Sequence, residues 1–479
     1  MGIVVGWCWY KKEMKSRKEN KVGVPKGNLG WPLVGETIDF IACGYTSKPV
    51  SFMEKRRSLY GKVFKTHLLG TPIIVSTDAD VNKVVLQNHG NTFIPAYPKS
   101  IRELLGEHSI LQINGNLQKR LHALIGGFLR SPQFKSRITT DVENSVNLSL
   151  CSWKKHKHLI YVQRETQKIT FEVLVKVLMS VCPGEDLNSL KREFEEFIKG
   201  LICLPINFPG TRLYKSLKAK ERLLKIVGRI VKERKLATLE NKQEDGARAP
   251  KDVVDVLLQH SGDSNEAQGL SVDFITGNVI EMMIPGEETV PMAMTLAVKY
   301  LSDCPVALQK LREENMELKK QKIESCGNYS WIDYMSLSFT QNVISETLRM
   351  ANIINGVWRK ALKDVEIKGV LIPKEWCVLT SFTSIHMDEE NYSNPYEFDP
   401  WRWNCKAGIA ANNSISFTPF GGGQRLCPGL DLSRLELSIF LHRLVTTYRW
   451  VSEKDEIVHF PTVKMKRKLP IRVTSISSL

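Results

Sequence analysis

Near its C-terminal end the chain reads Phe420-Gly421-Gly422-Gly423-Gln424-Arg425-Leu426-Cys427-Pro428-Gly429. Three consecutive glycines let the backbone turn tightly and lie against a flat ligand, because no Cβ intervenes. From Leu430 onward, Leu432, Leu435, Ile439, Phe440, Leu444 and Val445 recur at roughly helical spacing. Cys427 is therefore expected just before a helix N-terminus, where partial positive charge and free amides lower a thiol pKa and favour the thiolate. Arg425 adds a fixed charge whose planar fork can grip a carboxylate. A thiolate beside such a cation suits haem, which offers both an iron and propionates.

Two other runs could do chemistry. Pro285-Gly286-Glu287-Glu288-Thr289-Val290-Pro291 sets the acid Glu288 beside the hydroxyl of Thr289, a pair able to relay protons through water. Gly286 would let a flat ligand approach the backbone. Glu346 and Arg349, three apart, share one helix face and can pair. Alone, such pairs are common surface decoration worth little.

These residues need elements to position them. Lys62–Leu69 and Pro72–Ser76 read as a hairpin about Gly70-Thr71. Helical patterns follow at Asp80–Asn88, Asn116–Leu129, Gln167–Ser180, Leu187–Leu204, Leu213–Leu239, Asp273–Leu301, Pro305–Lys322 and Ser338–Met350. The prolines Pro285 and Pro291 should kink the Asp273–Leu301 helix. Strand-like pieces return at Val365–Ile367 and Pro470–Val473. The fold class is mainly α with a smaller β portion.

The chain has 479 residues, 42% of them hydrophobic, ample for a large core. It carries no repeat, and its one linker-like stretch, Leu239–Gln268, reads as a surface loop within a single large domain, 22–479. Ten scattered cysteines without Cys-x-x-Cys spacing favour free thiols in a reducing compartment. The formal net charge of +16 is spread along the chain with no nucleic-acid motif, so no nucleic acid is expected as partner. A basic surface facing anionic lipid or an acidic protein fits better. Met1–Tyr10 is apolar and a basic segment to Lys21 follows, too short to span a bilayer and read as a shortened membrane-anchor remnant, 1–21.

The Cys427 segment matches the haem signature of the cytochrome P450 family, Phe-x-x-Gly-x-Arg-x-Cys-x-Gly, at Phe420, Gly423, Arg425, Cys427 and Gly429. Such a match arises by chance about once in ten thousand chains of this length. The chain thus resembles that family over essentially everything after Lys21. The resemblance implies the P450 fold, haem b ligated by Cys427, and oxygen activation with NADPH electrons delivered by a cytochrome P450 reductase. It further implies an endoplasmic reticulum membrane protein with its catalytic domain in the cytosol. Glu346 and Arg349, with Arg402 of Phe398-Asp399-Pro400-Trp401-Arg402-Trp403, match a buried structural charge network. Gly286, Glu288 and Thr289 match the oxygen-activating pattern, while Pro285 and Val290 depart from it. Arg359 matches a propionate-contacting position. The early-helix propionate residues are absent: Gln118 and His122 occupy their places, so Lys119 or His122 would substitute.

Gly30-Trp31-Pro32-Leu33-Val34-Gly35 and Phe208-Pro209-Gly210-Thr211 resemble the plant clan that oxidises sterols and diterpenoids. Within it, Ile41-Ala42-Cys43-Gly44-Tyr45, Met282-Met283-Ile284-Pro285-Gly286-Glu287-Glu288-Thr289 and Phe460-Pro461-Thr462-Val463-Lys464-Met465-Lys466 are most similar to steroid hydroxylases of the brassinosteroid C-23 type. This implies C-23 hydroxylation of a 22-hydroxylated steroid. The alternatives are another plant sterol, triterpenoid or diterpenoid, or a haem-thiolate isomerase that uses no O2. Pocket segments placed by resemblance are Phe93–Leu111, Ile202–Phe208, Phe274–Ile284, Ile353–Val357 and Phe460–Val463, with Tyr97, Asn207 and Asn355 as polar points.

Overall fold

The computed structural model describes residues 23–32, 34–46, 48–88, 91–153, 159–240, 249–261, 270–404 and 415–476. The expected anchor remnant and basic segment at 1–21, Cys8, Cys405 and parts of the linker-like stretch lie outside the described residues. Among the described residues no helix is long and apolar enough to cross a membrane.

The architecture is mainly helical. Helices α1 (Thr37–Cys43) and α2 (Ser51–Tyr60) precede the hairpin β1 (Val63–Leu68) and β2 (Thr71–Ser76). Then come α3 (Ala79–Gln87), β3 (Phe93–Pro95), α4 (Lys99–Leu105), α5 (Gly115–Arg130), α6 (Pro132–Trp153), β4 (Ile160–Tyr161), α7 (Val162–Met179), α8 (Glu185–Ile198), α9 (Arg212–Glu240) and α10 (Val253–Gln259). A broken helix follows as α11 (Val272–Met282), α12 (Ile284–Glu288) and α13 (Val290–Asp303). Next are α14 (Pro305–Glu324), α15 (Trp331–Met335) and α16 (Ser338–Ala351), then β5 (Gly356–Ala361), β6 (Val365–Ile367), β7 (Val370–Ile372) and β8 (Cys377–Ser381). The chain closes with α17 (Phe382–His386), α18 (Leu430–Thr447), β9 (Tyr448–Ser452), β10 (Ile457–Val458), β11 (Lys464–Met465) and β12 (Pro470–Ser475).

The main sheet runs β1-β2-β8-β5-β3, with β2 and β8 parallel and the other pairs antiparallel. A second sheet, β4-β12-β9, brings the C-terminal strand against the start of α7.

Three expectations are corrected. The single helix Asp273–Leu301 is three, restarting with Pro285 and Pro291 each inside a first turn. There a missing N–H costs nothing and the fixed φ suits the helix. The linker-like stretch contains α10, capped by Asp252, whose side chain accepts from Asp255 N–H, and buried through Val253, Val254, Val256, Leu257 and Leu258. Finally, α8 stops at Ile198, so Ile202, Leu204, Ile206 and Phe208 sit on an irregular segment and are exposed.

One continuous core surrounds α13 and α18. Leu435, Ile439, Phe440, Leu444 and Val445 of α18 are buried, each stabilising by roughly 1.5–3 kcal/mol. This anchors the helix that begins three residues after Cys427.

Candidate haem site

The cysteine loop is fastened from three sides. At its entry, the Thr418 N–H donates to His386 Nε2 at 3.0 Å, and His386 Nδ1 lies 2.9 Å from Asn352 Oδ1. Burial, then the Arg349 cation, push His386 down to about 3, so the ring is neutral with its proton on Nδ1. In the middle, Gln118 Nε2 donates to Gln424 O at 3.2 Å and His122 Nε2 meets Leu426 O at 2.6 Å. On the third side Arg425 donates to the carbonyls of Leu111 and Ile113. Within the loop, Cys427 N–H donates to Phe420 O at 3.1 Å, and Gly421 at φ 74° takes the left-handed turn that glycine allows.

This corrects the early-helix reading. Gln118 and His122 grip loop carbonyls, and Lys119 is exposed. Gly423 also differs: a methyl there would lie 2.1 Å from Leu86 O, so its bare backbone serves contact with α3. Gly421 and Gly422 line the cavity instead.

That cavity, ≈ 390 Å³, brings together Cys427, Phe420, Arg425, Arg359, Gly286 and Thr289. Burial raises the Cys427 thiol pKa, against a smaller lowering by the Gly429 N–H. The expected depression by the helix end is therefore outweighed by desolvation, and a thiolate here needs a bound cation. Burial, then repulsion from Arg359, push Arg425 down to about 10. Two cations, the buried Arg359 and the partly buried Arg425, thus line one apolar cavity, with no carboxylate ion-paired to either among the described residues. A thiol for an iron, two arginines for an anionic rim and glycine backbone for a flat face fit haem.

The acid–hydroxyl pair is split. Thr289 lines the cavity, its hydroxyl donating to Pro285 O at 3.2 Å. Glu288 turns away, hydrogen-bonded to Thr462 and facing Lys464; burial raises its pKa against both. Adjacent helical residues do not face one another, which the sequence motif concealed. Gly286 reaches the cavity, yet a methyl there would lie 2.9 Å from Leu174 Cδ2, so its small size also admits α7.

The charge network forms. Glu346 and Arg349 are fully buried and joined by two hydrogen bonds of 2.9 and 2.8 Å. Arg402 Nε and Trp403 Nε1 add bonds to Glu346 at 2.9 and 3.0 Å. Arg349 Nη1 then donates to His386 O (2.8 Å) and Pro395 O (2.7 Å), tying α16 to the residue that holds Thr418.

Above the cavity a strap carries Leu111. Asn278 Oδ1 accepts from Ile110 N–H at 2.6 Å, and Ser109 Oγ donates to Glu281 Oε2 at 2.5 Å. Lys220 Nζ reaches Leu104 O and Leu105 O, both at 2.8 Å. Of the expected pocket segments, Tyr97, Leu111, Met282, Ile353, Ile354 and Val357 line the cavity. Asn355 and Asn207 are exposed, and Phe460–Val463 packs elsewhere. Sequence reasoning missed Glu436, a buried cavity-lining acid pushed up to about 8 by burial alone. A glutamate among Leu432, Leu435, Ile439 and Phe440 was the available signal.

A lone cavity cysteine beside two arginines in a helix-rich fold suits a haem-thiolate protein. The cytochrome P450 family model matches residues 25–473, and the chain belongs to that family. It is 67% identical to 3-epi-6-deoxocathasterone 23-monooxygenase CYP90C1 of Arabidopsis thaliana, over 98% of this chain and 90% of that protein. It is 53% identical to 3-epi-6-deoxocathasterone 23-monooxygenase CYP90D1 of the same plant, over 94% and 90%. Among solved structures, retinoic acid bound cyanobacterial CYP120A1 superposes with a TM-score of 0.81 at 26% identity, covering 95% of this chain and all of that one. Family membership implies haem and electron transfer from a reductase.

Proposed function

We propose that this protein is a steroid monooxygenase that hydroxylates C-23 of 22-hydroxylated brassinosteroid precursors, using O2 and NADPH electrons through a cytochrome P450 reductase. The observation that carries the reading is its 67% identity, over nearly its whole length, to a relative named for that reaction. The cavity is consistent with it: apolar walls with Tyr97 as a polar point suit a steroid.

Cys427 would hold the iron of haem b, and Arg425 and Arg359 its carboxylates. When bound, haem supplies reductive activation of O2, one oxygen atom entering a C–H bond and the other leaving as water. The protein's part is to bind and orient. Leu111, Ile353, Ile354 and Val357 exclude water around the substrate, Thr289 places a hydroxyl at the cavity wall, and Glu288 connects that helix turn to Thr462 on the far side. For location we propose the endoplasmic reticulum membrane with the catalytic domain in the cytosol. Exposed Ile202, Leu204, Ile206 and Phe208, flanked by Lys199 and Arg212, suit attachment to a lipid surface.

Co-expression with a plant reductase and a panel of 22-hydroxylated steroids, with products identified by mass spectrometry, tests the assignment. Products bearing a C-23 hydroxyl are expected. No side-chain hydroxylation anywhere in the panel would overturn it.

A further inference from the structure

Pro291 has no N–H, so Glu287 O lacks its helical donor. A buried carbonyl without a donor is costly, and its partner must come from elsewhere. Gln167 Nε2 of α7 donates to it at 3.3 Å. One turn along, Thr170 Oγ1 lies 2.6 Å from Gly286 O and 2.8 Å from Thr166 O. The hydroxyl has one proton, and the shorter contact is to α12. Thr166 Oγ1 stands 3.1 Å from Pro291 O and 3.0 Å from Thr295 Oγ1, which itself donates to Pro291 O at 2.7 Å. Both threonines are essentially fully buried, so water does not compete for these bonds. Thr166 Oγ1 also lies 3.0 Å from Val162 O of its own helix, so the two donors that α7 commits to the segment broken by two prolines are Thr170, to Gly286 O, and Gln167, to Glu287 O.

We propose that Thr170 and Gln167 are positioning residues that hold the broken helix open. They draw the Gly286 and Glu287 carbonyls toward α7, and Thr170 and Gly286 line the cavity together with Pro285 and Thr289. The Thr289 hydroxyl, bonded to Pro285 O, is thereby fixed where protons must be delivered. Without these donors the freed carbonyls compete for the N–H groups of the next turn, and the Thr289 hydroxyl loses its setting.

The inference rests on the monooxygenase reading, and its test separates the two. Thr170→Val, Thr170→Ser and Gln167→Met are compared with the parent as haem-loaded proteins. Amide hydrogen exchange across 284–292 is measured first. With reductase and steroid, NADPH electrons recovered as hydrogen peroxide, two electrons and two protons per O2, are then compared with those recovered in hydroxylated product. Thr170→Val and Gln167→Met should each speed exchange in that segment and raise the peroxide-to-product ratio, by about fivefold for one lost hydrogen bond. Thr170→Ser, which keeps the proton, should restore both. Should Thr170→Val fail to accumulate, Gln167→Met carries the same readouts. Unchanged local exchange, or faster exchange throughout the chain with the ratio unmoved, would overturn the proposal. If the parent hydroxylates no steroid, the functional reading fails, while exchange in the haem-loaded protein still decides the role of α7.

Discussion

At the scale of single residues, Arg349 does the most connecting. Its guanidinium binds Glu346 and the backbone carbonyls of His386, Pro395 and Glu397 from a fully buried position. Arg349→Ala should leave Glu346 buried with its main partner gone and cost roughly 3–5 kcal/mol. Haem loading, read from the thiolate-specific carbon monoxide difference band, should be lost. Arg349→Lys should fail as well, because an ammonium cannot reproduce the planar fork; full loading of the lysine variant would contradict this role. Glu346, Arg349 and Arg402 were legible in the sequence because each pairs with another charged side chain. Gln118, His122, Thr170 and His386 were not, because each bonds to main chain. A carbonyl or amide partner is the same at every position and leaves no mark in the sequence.

Among the elements, the strap over the cavity has attachments remote from the cysteine loop, besides the Arg425 bonds to Leu111 O and Ile113 O. Asn278 accepts from Ile110 N–H and donates to His108 O at 3.2 Å, fixing the segment that carries Leu111. Asn278→Leu should free it: substrate dissociation should quicken by about twenty-five-fold, for roughly two hydrogen bonds, with haem loading intact. Stopped-flow measurement of the substrate-induced spin shift checks this, and unchanged dissociation would show the strap is held otherwise. Helix legibility varied for identifiable reasons. α18 announced itself through leucines at helical spacing. α6 did not, although Phe134, Ile138, Val142, Val146 and Leu150 make a buried stripe four residues apart. Its exposed faces carry Ser, Thr, Asn and Asp, weak helix formers that masked the period. α8 was drawn too long because Leu201, Ile202 and Leu204 continue its apolar pattern past Ile198.

Across the whole molecule, buried ionisable groups set how stability follows pH. Burial raises Glu281 to about 7 and Glu287 and Glu436 to about 8. Each binds its proton more tightly folded than unfolded, so each contributes stability that is lost as pH rises through these values. His386 and His442, lowered to about 3, and His459, lowered to about 4, act oppositely: their contribution is present above about 6.5 and lost on acidification. The two sets offset between about pH 4.5 and 6.5, and above 6.5 only the acids remain. Melting temperature should therefore decline from about pH 6.5 to 8, and Glu436→Gln should flatten that decline by up to ~1.4 kcal/mol per pH unit. Parallel slopes for both proteins would exclude Glu436 as a contributor. The sheet was the least legible feature at this scale, since β2 and β8 pair in parallel across about three hundred residues, from Ile73 with Cys377 to Ser76 with Thr380. That pairing also imposes an order on synthesis. The β1–β2 hairpin leaves the ribosome with one edge unpaired and must wait for β8 while the helical body is made, on the order of 15–60 s at ordinary elongation rates. An apolar strand edge exposed that long is an invitation to pair with another chain. Shielding of the first hundred residues should therefore raise the yield of folded chain until the strand encoded far downstream arrives to cover them.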